Sequence, residues 1–136
     1  MEYQGRPFQG HLNSEDASGG VTVAITEHGA PAAYTLKAHE YLEVHDIQLV
    51  TETGGDCRVI FTDSPSGTTG TTVVRGNYAA NGGVSARFKI PVVGARGEFL
   101  RAVAPAGDLD VVVRGTIRND TTQGVRPNYR DDLNPS

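Results

Sequence analysis

Leu109-Asp110-Val111-Val112-Val113-Arg114-Gly115-Thr116-Ile117-Arg118 is the cleanest alternation of apolar and polar residues in the chain. Successive side chains of an extended strand point to opposite faces. Leu109, Val111, Val113 and Ile117 therefore share the inner face, and Asp110, Arg114, Thr116 and Arg118 the outer one. The same period of two recurs upstream. In Val84 to Ile90, Val84, Ala86, Phe88 and Ile90 point inward and Ser85, Arg87 and Lys89 outward. In Asp56 to Thr62, Cys57, Val59 and Phe61 share one face. Val21 to Thr26, Tyr34 to Lys37, Thr71 to Tyr78 and Glu98 to Ala104 read as further strands. Tyr41 to Glu52 is longer, and its apolar phase changes from Leu42 and Val44 to Ile47 and Leu49. A change of phase within one strand needs an extra residue, so the pattern predicts a β-bulge near His45-Asp46.

The strands are punctuated by turn residues. Gly29-Ala30-Pro31 precedes the second strand. Gly54-Gly55 and Asn81-Gly82-Gly83 read as hairpin turns. Asp63 to Gly70 is a long polar loop, Pro91 to Arg96 a connector, and Pro105 to Asp108 a turn. Eight short strands in about a hundred residues imply an all-β fold, an eight-stranded β-sandwich of jelly-roll type with strands in two sheets. Fifteen Val, thirteen Thr and seventeen Gly fit this reading, and no window carries a sustained helical apolar period. An immunoglobulin-like sandwich is the runner-up, but its Cys…Trp…Cys signature is missing.

The sandwich is expected over residues 21–118, flanked by a polar N-terminal arm at 1–20 and a C-terminal tail at 119–136. The arm reads either as a disordered terminus or as a segment that docks on a neighbour through Tyr3, Pro7 and Phe8. The tail has Pro127 and Pro135 and no periodicity.

A chain of 136 residues suits one domain and can bury a core without staples. One Cys cannot make an internal disulfide. Twelve Lys and Arg against 16 Asp and Glu give a net charge of −4, a poor footing for general nucleic-acid binding. No apolar run approaches the ~20 residues of a membrane helix. Met1 to Gly5 lacks the basic and apolar regions of a signal peptide. Most of the acidity lies in the two ends, which leaves the sandwich close to neutral, a body suited to packing against protein subunits.

Catalytic chemistry finds little support. His39, Glu43 and His45 share one side of an extended strand and approximate the cupin metal pattern. They fall on the side away from Leu42 and Val44, and a solvated strand face explains them as well. Asp108, Asp110 and Asp131-Asp132 do not match the spacing of a calcium loop. Ser64-Pro65-Ser66-Gly67 lacks the strand-turn-helix setting of a nucleophile elbow. Cys57 alternates with Val59 and Phe61 and reads as a small buried hydrophobe. No enzyme activity, metal or cofactor is expected. Arg outnumbers Lys ten to two, and Arg58, Arg75, Arg87, Arg101, Arg114 and Arg118 fall on strands. Arg suits interface ion pairs. Arg114 and Arg118 are the preferred subunit-interface candidates, against ordinary solvated surface as the plainer reading.

A small β-sandwich without a catalytic constellation, flanked by two polar ends, resembles the head decoration (cement) proteins of tailed bacteriophages. The resemblance covers the core at 21–118 and the arm at 1–20. The long Tyr41–Glu52 strand with its Gly54-Gly55 turn looks like the central hairpin of such sandwiches. The resemblance implies a jelly-roll homotrimer on the outer capsid surface of a virion, clamping neighbouring copies of the major capsid protein. It also implies a partner-binding arm, whose candidates are Tyr3, Arg6, Pro7 and Phe8. Nucleic acid and membrane are not expected partners. The alternative is a carbohydrate- or receptor-binding sandwich, in which Tyr34, Tyr41 and Tyr78 would have to serve as stacking platforms; a cupin-like metalloprotein comes next.

Overall fold

The structure, a computed structural model, describes residues 5–14, 16–27, 30, 32–105 and 107–119. Nine strands form among the described residues: β1 (Arg6–Ser14), β2 (Val21–Thr22), β3 (Ala24–Glu27), β4 (Glu40–Thr51), β5 (Gly55–Thr62), β6 (Thr71–Tyr78), β7 (Gly82–Val93), β8 (Phe99–Val103) and β9 (Leu109–Asn119). No helix occurs among the described residues. A five-stranded antiparallel sheet has the order β3-β1-β9-β4-β7, and a four-stranded one the order β2-β8-β5-β6. Without the short edge strand β3, this is the order of a jelly roll, β1-β9-β4-β7 facing β2-β8-β5-β6.

The alternation of β9 decides where it sits. Leu109, Val111, Val113 and Ile117 are all buried, and β9 lies between β1 and β4 at the centre of the larger sheet. Leu42, Val44, Ile47 and Leu49 of β4 are fully buried beside them. The phase change within β4 is a bulge: its register shifts between Val44 and Asp46 against both β7 and β9. From the other sheet, Cys57, Val59, Phe61, Leu100 and Ala102 close the core.

Several expectations are corrected. The described residues form nine strands instead of eight, and the sandwich begins well before residue 21. Residues 6–14 are not an arm but β1, paired with β9 along its whole length and with β3 from Phe8 to His11. Phe8, Gly10 and Leu12 point inward while Pro7, Gln9, His11 and Asn13 point out. The alternation escaped the sequence because its middle inward position is a glycine. A Cβ at Gly10 would lie 2.6 Å from Val113 Cγ1, so the missing side chain is a packing requirement. Asn119, the first residue assigned to the tail, ends β9, and residues 120–136 lie outside the described residues.

Neither glycine turn makes a hairpin. The Gly54-Gly55 turn carries the chain from β4 in the larger sheet to β5 in the smaller, and the Asn81-Gly82 turn carries it back from β6 to β7. Both Gly54 (φ 85°) and Asn81 (φ 62°) are left-handed. A Gly-rich turn permits an arch between sheets as readily as a hairpin within one. The Val21–Thr26 strand also divides. β2 pairs with β8, β3 pairs with β1, and buried Val23 between them donates its N–H to Leu100 O at 2.9 Å. Tyr34 to Lys37 is an irregular connection, not a strand.

Gly115 tests this packing. It lies opposite Phe8 in β1, and a Cβ there would sit 1.8 Å from Glu43 O and 2.8 Å from Phe8 Cε1. Gly115→Ala is expected to destabilise the fold by about 2 kcal/mol through forced displacement of the β4 backbone, read as a lower urea midpoint. An unchanged midpoint contradicts the close approach of β4 and β9.

Candidate functional site

Of the residues expected to form a docking arm, Arg6, Pro7 and Phe8 are built into the sandwich. Phe8 is only 3% exposed, in the core. Pro7 is exposed on the outer face of the larger sheet, and Tyr3 lies outside the described residues. Arg6 opens β1 and spans two acids: its Nη1 donates to Glu27 Oε2 at 2.6 Å, and its Nη2 to Glu40 Oε2. Its guanidinium also lies 5.3 Å from the centroid of the Tyr34 ring. Glu40, whose side chain is 3% exposed, accepts on Oε1 from Tyr34 OH at 2.6 Å and from Lys37 N–H at 2.9 Å. Burial pushes the Glu40 carboxyl up, but the bonds from Tyr34 and Lys37 and the Arg6 charge outweigh it and hold it below the usual carboxylate range. The cluster ties β1, β3 and the 34–37 connection to the start of β4.

Arg114 and Arg118 stand on the outer face of the larger sheet, as their alternation requires. They form cross-strand ion pairs with β4, Arg114 Nη1 to Asp46 at 3.2 Å and Arg118 Nε to Glu43 at 2.9 Å. His45 Nε2 lies 3.1 Å from Thr116 Oγ1 on the same face. The Arg114 side chain is 57% exposed, so Arg114→Ala is expected to change stability by less than about 1 kcal/mol in urea melts. A larger loss would mean that the pair fixes the sheet.

The smaller sheet carries an arginine role that the sequence did not signal. Arg101 occupies an outward position of β8, yet it is 5% exposed. Nε donates to Gly67 O at 2.8 Å, Nη1 to Thr22 Oγ1 at 2.9 Å and Nη2 to Gly19 O at 3.3 Å. Arg58 on β5 donates from Nη2 to Thr68 O at 2.6 Å. Together they pin the 63–70 loop to the sheet. Ile60 and Val103, also at outward positions, are 1% exposed. The fan of guanidinium donors suits this carbonyl binding, and the loop makes a partial third layer. Periodicity places Arg101 on the outer face but cannot show what covers that face.

An apolar cleft of about 440 Å³ opens beside β2 and β3, lined by Val23, Ile25, Tyr34, Leu36, Leu42 and Phe99 among others. At the other edge, β7 has no strand on its far side among the described residues. Three large apolar side chains are exposed among the described residues: Ile90 (84%), Val50 (50%) and Val93 (47%). Ile90 and Val93 belong to β7, and Val50 pairs across to Gly83 of β7. The β4 ladder passes from the Arg87–Asp46 pair to the Val92–Val44 pair, so Phe88 to Pro91 of β7 stand against His45 alone, an irregularity in which Phe88 packs on the core and Ile90 is exposed.

The other nominated side chains are dispersed. His39 lies in the turn before β4, while Glu43 and His45 face outward with His45 Nε2 3.7 Å from Glu43. Among the described residues no three His, Cys, Asp or Glu side chains converge as a metal ligand set. Cys57 is buried, and burial pushes its thiol up, away from the nucleophilic thiolate. Asp108 serves the fold, accepting from the backbone N–H groups of Glu52 and Thr53 at 3.0 Å each. Of the tyrosines considered as stacking platforms, Tyr34 is tied to Glu40 through its hydroxyl and lines the apolar cleft, Tyr78 packs partly buried against the core, and Tyr41 is half-buried on β4.

No protein-family model matches the chain, and no curated protein matches it. Among solved structures, one from Bacillus endospore appendages, described as a family of disulfide-linked pili, is similar at 15% identity over 88% of this chain and 92% of its own, with a TM-score of 0.38.

Proposed function

We propose that the protein is a non-catalytic structural module: a decoration protein that binds the outer surface of a viral shell as a homotrimer and bridges neighbouring major capsid subunits. The observation that carries this reading is the exposed apolar edge at β7, where Ile90 and Val93 face solvent on a jelly-roll body. Exposed aliphatic groups in such a place favour protein contact over catalysis. Two of the three tyrosines named for sugar stacking are engaged within the fold, Tyr34 through its hydroxyl bond to Glu40 and Tyr78 by packing on the core.

The chemistry of bridging is that of many modest contacts acting together. Each subunit contact is weak, but simultaneous engagement raises the effective concentration of every other contact, so the shell opens only when several break at once. With Arg6 and Phe8 held in β1, residues 6–14 belong to the body of the sandwich, and the clamp works through its edges and outer faces. The test is sedimentation of the purified chain with expanded tailed-phage capsids stripped of their own decoration protein. Saturable co-pelleting and greater resistance of the shells to osmotic shock are expected. A chain that stays in the supernatant overturns the reading.

A further inference from the structure

The sandwich differs at its two sides. Beside β3, Tyr34 and Leu36 of the β3–β4 connection pack against the core and line the apolar cleft. Beside β7, the seam between the sheets is flanked by Val74, Tyr78, Val84, Ala86 and Phe88, all of which reach the core yet stay partly exposed. The irregular stretch Phe88–Pro91, which begins at core-packed Phe88, presents Lys89 and Ile90 to solvent.

Charge selects what this edge can meet. Arg87 and Lys89 are the charged residues of β7, both are exposed, and neither has an ion-pair partner among the described residues. Two β7 edges related by a two-fold axis would bring these cations together, which disfavours the symmetric contact. The opposite chemistry occurs elsewhere on the same chain. A notch of about 260 Å³ lies where β1, β4 and β9 meet, lined by Val50, Glu52, Asp108 and Asp110 with Asn13 and Ser14. Glu52 and Asp110 are exposed, and Val50 adds an exposed apolar group. Val50 pairs with Gly83 near one end of β7, while Ile90 lies seven residues further along. At ~3.3 Å per residue the two are roughly 20 Å apart, so a chain cannot fill its own notch.

We propose that the Lys89-Ile90-Pro91 protrusion of one copy seats in the Val50–Glu52–Asp110 notch of the next copy, making β7 a head-to-tail assembly surface. Ile90 covers Val50, and Lys89 and Arg87 meet Glu52 and Asp110. Two different patches form the contact, so it is heterologous and closes into a ring or extends as a chain. The inference deepens the self-assembly in the proposed function and does not depend on shell binding.

The test is sedimentation velocity on the full chain from micromolar to millimolar concentration. The unaltered chain is expected to associate. Ile90→Ser, Lys89→Glu, and the pair Glu52→Lys with Asp110→Lys are each expected to weaken association about a hundredfold with an unchanged melting temperature. A chain carrying Arg87→Glu, Lys89→Glu, Glu52→Lys and Asp110→Lys together has exchanged the charges of both patches and is expected to regain association. An unaltered chain that stays monomeric throughout overturns the proposal. So does an Ile90→Ser chain of normal melting temperature that associates as tightly as the unaltered one. Loss of association on β7 substitution with none on notch substitution also overturns it, in favour of edge-to-edge pairing. Failure of an assembling chain to bind capsids counts against the shell reading alone.

Discussion

Phe8→Ala is expected to destabilise the protein by about 3–5 kcal/mol, the range for truncating a well-packed core Phe. Phe8 is 3% exposed, sits opposite Gly115 in the β1–β9 ladder, and belongs to the same core cluster as Leu42, Val44 and Ile117. Truncation leaves a cavity beneath β1 that β9 cannot fill without moving β4. A residue in a solvated arm would lose almost nothing on the same change. Urea unfolding of the two chains separates the cases: a fall of several kcal/mol is expected, and a change within about 0.5 kcal/mol would return residues 6–14 to the surface.

Glu40 carries the second large effect, and it depends on pH. Glu40→Ala leaves Arg6, Tyr34 and the Lys37 N–H without their shared acceptor. The cost is expected near 2–3 kcal/mol at neutral pH, below that of a fully buried pair because the Arg6 side chain is 38% exposed and can rehydrate. The carboxyl is held below its ordinary range in the folded protein. Its contribution is therefore complete above the unfolded carboxylate value and is lost as pH falls through the depressed folded value. Glu40→Gln keeps the shape and removes the titration. Its stability is expected to fall less steeply than that of the unaltered chain between neutral and acid pH. The slope that remains belongs to other acids held low by their partners, Asp16 by Ser18, Asp56 by Arg75 and Asp108 by Thr53. Identical slopes in urea melts would show that Glu40 does not link folding to acid.

The inner face of the fold was legible wherever side chains could report it. Val111, Val113 and Ile117 mark β9, and the shift from Val44 to Ile47 marks the β4 bulge, because apolar burial imposes the period of a strand directly. Three features were not legible, each for a physical reason. β1 hid behind Gly10, an inward position that needs no side chain. The partners of β5 and β7 were misread because alternation records a strand's face and not its neighbour, and a left-handed Gly54 or Asn81 serves an arch as well as a hairpin. Arg101 has the period of a solvated residue, but the 63–70 loop folds over it. Arg114 and Arg118 were placed on the outer face by their alternation, whereas their acidic partners come from β4 and depended on the register beyond the bulge. Ile90 has inward parity in a regular strand, and only the bulge at Phe88–Pro91 turns it out to solvent.

Amide hydrogen exchange along residues 6–14 of the full chain tests most directly whether the sandwich begins at β1 and works through its body. Every N–H from Phe8 to Leu12 lies in a strand with neighbours on both sides or at its flank. Phe8, Gly10 and Leu12 are expected to exchange as slowly as Val111 and Val113 of β9, by opening of the whole sheet. Exchange of these amides at the rate of an unstructured peptide, with β9 still protected, would contradict the account and restore an N-terminal arm.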